Sequence, residues 1–532
     1  MKIGLLDEFI IGLYCLTVLI IGFLLRGRIR NSSDFLLSGR SIPLWMTGIA
    51  FMAANLGSLE MMGMVANGAK YGMLTNHFYW IGAIPAMVFL GVFMMPFYYQ
   101  NRIRSVPEYL KFRFDNRTHV LNAITFAVMT ILMSGINMFA LAVVFRIMLG
   151  WPFHFSVWIS AGVVVGYTLL GGLSSSIYNE VLQFFLIIAG FLPLSLKALG
   201  AAGGWQGLKA KLPDAMLHTW AHMGSAADNA FGASWFAVVF GLGFVMSFAY
   251  WCTDFLLVQR AMAARNLQAA RRTPLVAAIP KMFFPLLVTV PGLYAAATLT
   301  GSLKGDYNAT LPLLLTHFYG PGLLGLGLTA LLASFMSGMA GNITAFNTVC
   351  TYDLYQNYFA PGRTDHHYLW VARALIVVGS GLSVMTAYIV LSFDNLMDYM
   401  QLIASFFISP LFATFLLGMF WRRCNASGAF YGMLAGISGS MLHYIAYHLG
   451  FLHYRTQMAA DFYGAICGWT AAMLVTVLVS LATAPPPESR LRGLVYQRGQ
   501  FAGPNSSRLY ARPGFQGICI LAAVIVLNIL FW

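Results

Sequence analysis

The dominant pattern along the chain is a series of long apolar runs separated by short polar segments. A helix needs about 20 mostly apolar residues to cross roughly 30 Å of hydrocarbon. About fourteen runs of that length are present, so we predict a polytopic membrane protein built from α-helices. The predicted spans are 5–26, 43–66, 78–100, 119–149, 155–173, 178–199, 233–258, 275–300, 320–350, 368–392, 398–420, 427–449, 460–483 and 515–531.

The composition excludes a soluble protein. Of the 532 residues, 59% are hydrophobic and 9% are charged, whereas soluble domains are roughly a quarter charged. The net charge of +14 comes from basic residues in short loops and not from one basic face, so we do not expect a nucleic-acid partner. The six cysteines are scattered singly, which indicates neither a disulfide framework nor a metal site.

The basic residues predict how the chain is oriented. Loops that follow odd-numbered spans carry most of the lysines and arginines, and such loops lie in the cytoplasm. With an even number of spans, both termini then face outward. The first span follows Asp7 and Glu8 instead of a basic segment, so we interpret it as a retained helix and not as a signal peptide. We expect a multi-pass protein of the cell (inner) membrane. After the first span the basic residues are Arg26, Arg28, Arg30 and Arg40.

Two polar segments lie between the spans. In the outer loop at about 200–232, His218 and His222 have the i, i+4 spacing that places two imidazoles on one helix face, as in some metal sites. No third ligand accompanies them, so a metal site is the weaker interpretation. Residues 484–514 contain three consecutive prolines and many basic side chains, and are predicted to form a cytoplasmic linker.

Charged residues inside the spans are candidates for function. A charge at mid-membrane costs about 2.5–3.5 kcal/mol and usually marks a transport pathway or a paired site. The candidates are Glu60, Glu180, Asp254 and Lys281. Glu180 and Asp254 lie near predicted helix ends, where the side chain can instead reach the polar interface. That alternative is weaker for Glu60 and Lys281.

Two spans contain polar interruptions. Residues 53–60 of the second span read AANLGSLE, and residues 250–254 of the seventh read YWCTD. Unwinding at such points frees backbone carbonyls for a cation, and breaks in corresponding positions of two halves are typical of inverted-repeat transporters. The alternative is a packing seam of small residues, which does not account for the flanking Asn55 and Glu60.

The ninth span adds two hydroxyl groups. Ser334 and Ser337 have i, i+3 spacing and therefore lie on one helical face. Together with carbonyls from the broken second span they predict an oxygen-lined site for a hard cation such as sodium. Judged alone, small polar residues at this spacing are more often plain packing.

With these features the sequence resembles the sodium/solute symporter family, particularly its sodium/glucose cotransporter branch. The similarity runs in order from about residue 34 to residue 432, and the ordered set of short segments carries it. These segments are 34–40, 53–58, 106–110, 171–173, 181–183, 250–254, 258–260, 352–355, 420–423 and 428–430.

The resemblance implies a transport core of two inverted repeats of five helices, each with a discontinuous first helix, together with peripheral helices. We accordingly divide the chain into a peripheral first helix and cytoplasmic loop at 1–40 and a core at 41–424. The repeats cover about 41–200 and 233–424, and peripheral C-terminal helices cover 425–532.

The resemblance also implies a sodium site formed by the carbonyls of Ala53 and Leu56 with Ser334, Ser337 and Gly338. The family usually has adjacent serines where this chain has Ser337 and Gly338. One hydroxyl is therefore missing, and Ser334 is expected to compensate for it.

The implied solute pocket is partly retained. Glu60 stands where sugar-transporting relatives often have histidine or glutamine, and Tyr79 replaces a glutamate. Glu180 takes the position of an aspartate that influences cation coupling. The predicted solute site comprises Asn55, Glu60, Tyr79, Tyr250, Trp251, Asp254, Lys281 and Gln401.

These features predict a secondary active transporter and not an enzyme. It would carry sodium and a small organic solute, with a sugar favoured, by alternating access, and would need no cofactor besides the coupling ion. Two alternatives stay open at this point: proton coupling through Glu60 or Glu180, and a symporter-fold sensor that does not transport. The sequence leaves the solute, the stoichiometry and the oligomeric state open.

Overall fold

The computed structural model shows an α-helical protein. It describes residues 4–26, 35–36, 38–303, 305–393, 395–497 and 509–532. Within these ranges there is no strand, and a single isolated bridge joins Ile42 and Ala264. A bilayer offers the backbone no hydrogen-bonding partner, so apolar spans satisfy their own polar groups by forming helices. The all-helical fold is confirmed.

Fifteen principal helices follow one another, with shorter segments such as Val106–Arg113 and Gly204–Lys211 between them. Their bounds are α1 Leu5–Arg26, α2 Leu44–Asn55, α3 Leu59–Asn76, α4 Phe78–Gln100, α5 Asn116–Leu149, α6 Phe153–Ala202, α7 Ala237–Thr253, α8 Phe255–Met262, α9 Leu267–Thr298, α10 Leu323–Phe359, α11 Asp365–Ala387, α12 Leu396–Phe420, α13 Ala426–His448, α14 Gln457–Ala482 and α15 Pro513–Leu530.

All fourteen predicted spans lie largely in these helices, but the number of membrane crossings is not confirmed. By length and composition, ten helices of the described residues are suited to cross a membrane, or up to twelve if each of two bent pairs is one span. The predicted spans 155–173 and 178–199 are parts of the single helix α6. The glycines and serines between them lower helix propensity by at most about 1 kcal/mol each, which does not end the helix.

Both predicted interruptions are present. Helices α2 and α3 meet at 62°, and α7 and α8 meet at 49°. At the first break, the Leu56 N–H bonds back to the Ala53 carbonyl at 2.9 Å, which ends the α-helical hydrogen-bond ladder after Asn55. At the second, the Asp254 carboxylate accepts a hydrogen bond from the Leu256 N–H at 2.9 Å and caps α8. The inverted relation of the two halves stays a prediction.

Burial separates central from outer helices. In an apolar stretch of 18 residues, 83% of the residues are buried in α5 and in α10, compared with 22% in α1 and α15 and 28% in α14. Lipid provides the apolar surroundings for the outer helices. The proposed division at residues 40 and 424 stays a prediction.

The predicted histidine loop does not place its two histidines on a helix, and parts of two other predicted loops lie outside the described residues. His218 lies in irregular backbone and His222 in a turn, because the helix Gly204–Lys211 ends before them at the extended Leu212. Arg28, Arg30 and residue 34 lie outside the described residues, as do residues 498–508 of the predicted linker.

Candidate cation and solute sites

The break between α2 and α3 faces the middle of α10. Ser334 donates a hydrogen bond from Oγ to the Leu56 carbonyl at 2.6 Å, and Ser337 donates from Oγ to the Ala53 carbonyl at 3.0 Å. All four residues are buried. The two serines are one turn apart, which places both hydroxyls on the same side of α10. Four oxygens therefore converge at the break, and oxygen is the ligand atom that hard cations prefer.

Gly338 brings no side chain to this cluster, and Asn137 of α5 occupies the adjoining space. A Cβ added at Gly338 would lie 2.6 Å from Asn137 Oδ1. The same oxygen accepts hydrogen bonds from the N–H and the Oγ of Ser58, at 2.9 and 3.0 Å. The sequence reasoning missed Asn137, although a polar residue inside a long apolar run was the available signal.

A cavity of about 60 Å³ lies beside the same break and is lined from both bent helix pairs. Seven of the eight predicted solute residues line it. These are Asn55, Glu60, Tyr79, Tyr250, Trp251, Lys281 and Gln401. The residues that the sequence reasoning missed are mostly apolar, and nothing in the apolar pattern distinguishes them from lipid-facing or core residues. They are Met64, Phe78, Ala83, Leu242, Met246, Ser247, Met397, Met400 and Ala404.

Lys281 organises the polar part of the cavity. Its ammonium nitrogen lies 2.7 Å from Glu60 Oε1 and 2.5 Å from Asn55 Oδ1. It also lies about 5 Å from the ring centres of Tyr79 and Trp251, at 5.0 and 5.4 Å, within the range of cation–π attraction. Lys281 is 1% exposed. An isolated ammonium group would be costly there, and the carboxylate and the ring faces compensate its charge.

Asn55 connects the two bent helix pairs. It is the last residue of α2, and its side-chain amide donates to the Tyr250 hydroxyl of α7 at 3.2 Å. Asn55 also lies between Ala53 and Leu56, whose carbonyls face α10. The cluster of four oxygens and the cavity therefore share one short stretch of chain.

Asp254 lies apart from this cavity. Its carboxylate caps α8 and lines a separate small cavity together with Asn122 and Thr125 of α5. The sequence placed it in the solute site because it adjoins Tyr250 and Trp251. The helix that carries Tyr250 and Trp251 ends at Thr253, and Asp254 has an extended backbone at the 49° bend, so helical spacing no longer relates its side chain to theirs.

Glu180 is also apart from the cavity. It forms a buried ion pair with Arg260 of α8, with 2.5 Å between Glu180 Oε1 and an Arg260 guanidinium nitrogen. Ser176 donates to the same carboxylate oxygen at 2.8 Å. Arg260 follows the predicted seventh span, and the fold makes it the partner of this carboxylate.

The histidine loop has one local cluster. Asp214 lies 3.3 Å from His218 and 2.9 Å from His222. Across the described residues, no three side chains of His, Cys, Asp or Glu are placed to hold a metal ion together.

The profile of the Sodium:solute symporter family matches residues 35–436, most of the chain. The protein belongs to this family. Similar members include the sodium/glucose cotransporter 4 of Danio rerio, which is 27% identical over 92% of this chain and 80% of the relative. The sodium/glucose cotransporter of Vibrio parahaemolyticus is 27% identical over 77% of this chain and 79% of the relative.

Solved structures show the same fold. A substrate-bound, outward-open Na+-coupled sialic acid symporter matches with a TM-score of 0.76 and 20% identity, covering 91% of this chain and 98% of that one. A nucleobase-cation-symport-1 family transporter matches with a TM-score of 0.51 and 13% identity, covering 87% and 99%. As a member of the sodium:solute symporters, the protein is a multi-pass membrane transporter and not an enzyme, and Na+ is its coupling ion.

Proposed function

We propose that this symporter couples sodium entry to the uptake of a neutral, hydroxyl-rich solute, a sugar, by alternating access. The observation that carries the proposal is the double role of the break between α2 and α3. The Ala53 and Leu56 carbonyls face Ser337 and Ser334, while Asn55 between them faces the cavity. A cation that orders this stretch would also orient the first solute-binding group.

The cavity chemistry supports a neutral polar solute. Glu60 and Lys281 neutralise each other, so a charged solute would gain little net attraction there. Asn55 and Gln401 offer amide donors and acceptors for hydroxyl groups. The Trp251 ring provides an apolar surface for the C–H face of a ring. The same types of group recognise sugars in general.

For the cation we propose the carbonyls of Ala53 and Leu56, the hydroxyls of Ser334 and Ser337, and the backbone at Gly338. Sodium binding from outside would stabilise the outward-facing form. Solute would then bind at the cavity, and the two repeats would rock to release both inside. Glu180 is proposed to influence coupling through its ion pair with Arg260 and not as a sodium ligand.

The energetics allow accumulation with one sodium ion. A tenfold sodium gradient contributes about 1.4 kcal/mol, and a potential of 100 mV adds about 2.3 kcal/mol for each charge. Together these terms sustain on the order of a several-hundredfold solute gradient.

We further propose that the protein resides in the cell (inner) membrane with both termini outside. The support is the excess of basic residues in the loops after odd-numbered spans. Cysteine accessibility at each terminus would test this orientation.

The proposed function is tested by uptake into proteoliposomes. Labelled sugars would be compared with amino acids and carboxylates, with sodium and proton gradients imposed separately. We expect sodium-driven accumulation of a sugar. Accumulation driven only by protons would support coupling through a carboxylate such as Glu60, and binding without accumulation would support the sensor alternative.

A further inference from the structure

Three residues from three structural elements pack closely at the cation cluster and leave no space for an added side-chain atom. Gly57 lies in the break, Gly338 lies in α10, and Asn137 lies in α5. A Cβ added at Gly57 would lie 2.8 Å from Asn137 Oδ1 and 3.3 Å from the Gly338 Cα. A Cβ added at Gly338 would lie 2.6 Å from Asn137 Oδ1 and 3.0 Å from its Cγ. Real side chains are not found at the shorter of these distances, so the two glycines and Asn137 depend on one another.

Asn137 has a defined task in this arrangement. Its Oδ1 accepts two hydrogen bonds from Ser58, while its amide nitrogen donates to the Met133 carbonyl of the preceding turn at 3.2 Å. The amide is therefore held by its own helix and in turn holds Ser58, the residue that immediately precedes α3. Asn137 is 3% exposed and Ser58 is fully buried, so water cannot replace the lost acceptor at low cost.

We propose that Asn137 is a positioning residue of the sodium site, which substitutes for the side chain that Gly338 lacks. It anchors Ser58, and so keeps the carbonyls of Ala53 and Leu56 turned toward α10. The inference rests on the proposed sodium site but assigns a residue outside the ligand set. It predicts a reciprocal relation: a side chain at position 338 is tolerated only when that of Asn137 is reduced.

The experiment uses Asn137→Ala, Gly338→Ser and the double variant in proteoliposomes. The half-saturating concentrations of sodium and of solute would be measured separately. Asn137→Ala removes the acceptor for two buried donors and is expected to raise the half-saturating sodium concentration about tenfold. The half-saturating solute concentration, measured at saturating sodium, should change far less. Gly338→Ser alone is expected to raise the half-saturating sodium concentration by at least the same factor. In the double variant the serine fills the vacated space, and the sodium value is expected to return to within about threefold of the wild type.

Asn122→Ala is the matched control, since Asn122 is a buried asparagine of the same helix that lines a different cavity, beside the bend between α7 and α8. Sodium half-saturation should be unchanged in this variant. If the effects of Asn137→Ala and Gly338→Ser multiply in the double variant, or if Asn137→Ala raises only the solute value, the proposal is overturned.

A second measurement separates this inference from the proposed function. Sodium, compared with choline, should raise the melting temperature of the purified wild type, and this shift should shrink in Asn137→Ala and recover in the double variant. Recovery of the shift without any sodium-driven uptake would support the positioning role and contradict the transport proposal. An equal shift in the wild type and Asn137→Ala would overturn the positioning role, whatever the uptake result.

Discussion

Lys281 Nζ lies 2.7 Å from Glu60 Oε1 in the wall of the central cavity, and both side chains are more than nine-tenths buried. The pair joins α9 to α3, just beyond the break that presents carbonyls to α10. Neither charge has bulk water to compensate it, so each depends on the other. Any variant of one partner therefore tests both the stability of the core and the charge of the cavity.

Glu60→Gln is expected to lower the free energy of unfolding by about 3–5 kcal/mol, because Lys281 then keeps an unpaired buried charge. The double variant, Glu60→Gln with Lys281→Met, should lose less free energy of unfolding than Glu60→Gln alone. Denaturant unfolding in mixed micelles would measure both values. Arg422→Ala breaks an exposed ion pair with Glu488 and should cost at most about 1 kcal/mol. Equal losses in the single and double variants would show that the pair is not coupled.

Ser337→Ala and Ser334→Ala should each raise the sodium concentration needed for half-maximal uptake, by about tenfold for one lost ligand oxygen. Sodium dependence of uptake into proteoliposomes measures the change. Ser383→Ala is the control, because that buried hydroxyl bonds only within α11, to the Gly379 carbonyl. An unchanged sodium dependence in both site variants would place the cation elsewhere.

Gln401→Ala should weaken solute binding by about five- to tenfold, the value of one hydrogen bond, while sodium half-saturation changes little. Gln401 lines the cavity, whereas Ser334 and Ser337 are not part of its lining. Gln457→Ala, which removes a side chain bonded to Asp461 outside the cavity, serves for comparison. A larger effect of Gln401→Ala on sodium than on solute would contradict the assignment of the cavity.

The cluster of Asp214, His218 and His222 should have no part in transport. The hydrogen bond from His222, with the nearby charge of His218, holds the pKa of Asp214 below its ordinary value. The contact thus stabilises the fold above the ordinary pKa and is lost as the pH falls through the lowered one. All three side chains are partly or largely exposed. Sodium-driven uptake by Asp214→Ala combined with His218→Ala and His222→Ala should follow the wild-type pH profile between about pH 5 and pH 8. A shifted profile would implicate the loop.

The sequence predicts the helical fold and most of the candidate site for reasons that are local. Apolar runs of about 20 residues cross a bilayer as helices, which satisfy their own backbone polar groups, and the polar interruptions at 53–60 and 250–254 coincide with the bends of 62° and 49°. The i, i+3 spacing of Ser334 and Ser337 already places both hydroxyls on one face. What these signals share is that each is contained in a short, continuous stretch of the chain.

The tertiary structure decided what depends on contacts between helices. Asp254 caps a helix instead of lining the cavity, and Glu180 is paired with Arg260 from 80 residues away. Asn137 meets Gly57 and Gly338 only because three backbones approach closely.

The sequence by itself therefore determined the class of the protein, its broken helices and the residue types around one cavity. Hydrophobicity and helical periodicity act along the chain and can be read from it. Which buried charge finds which partner, and which glycine makes room for which side chain, follows from the packing of segments distant in the sequence. Only the assembled fold brings those groups within hydrogen-bonding distance.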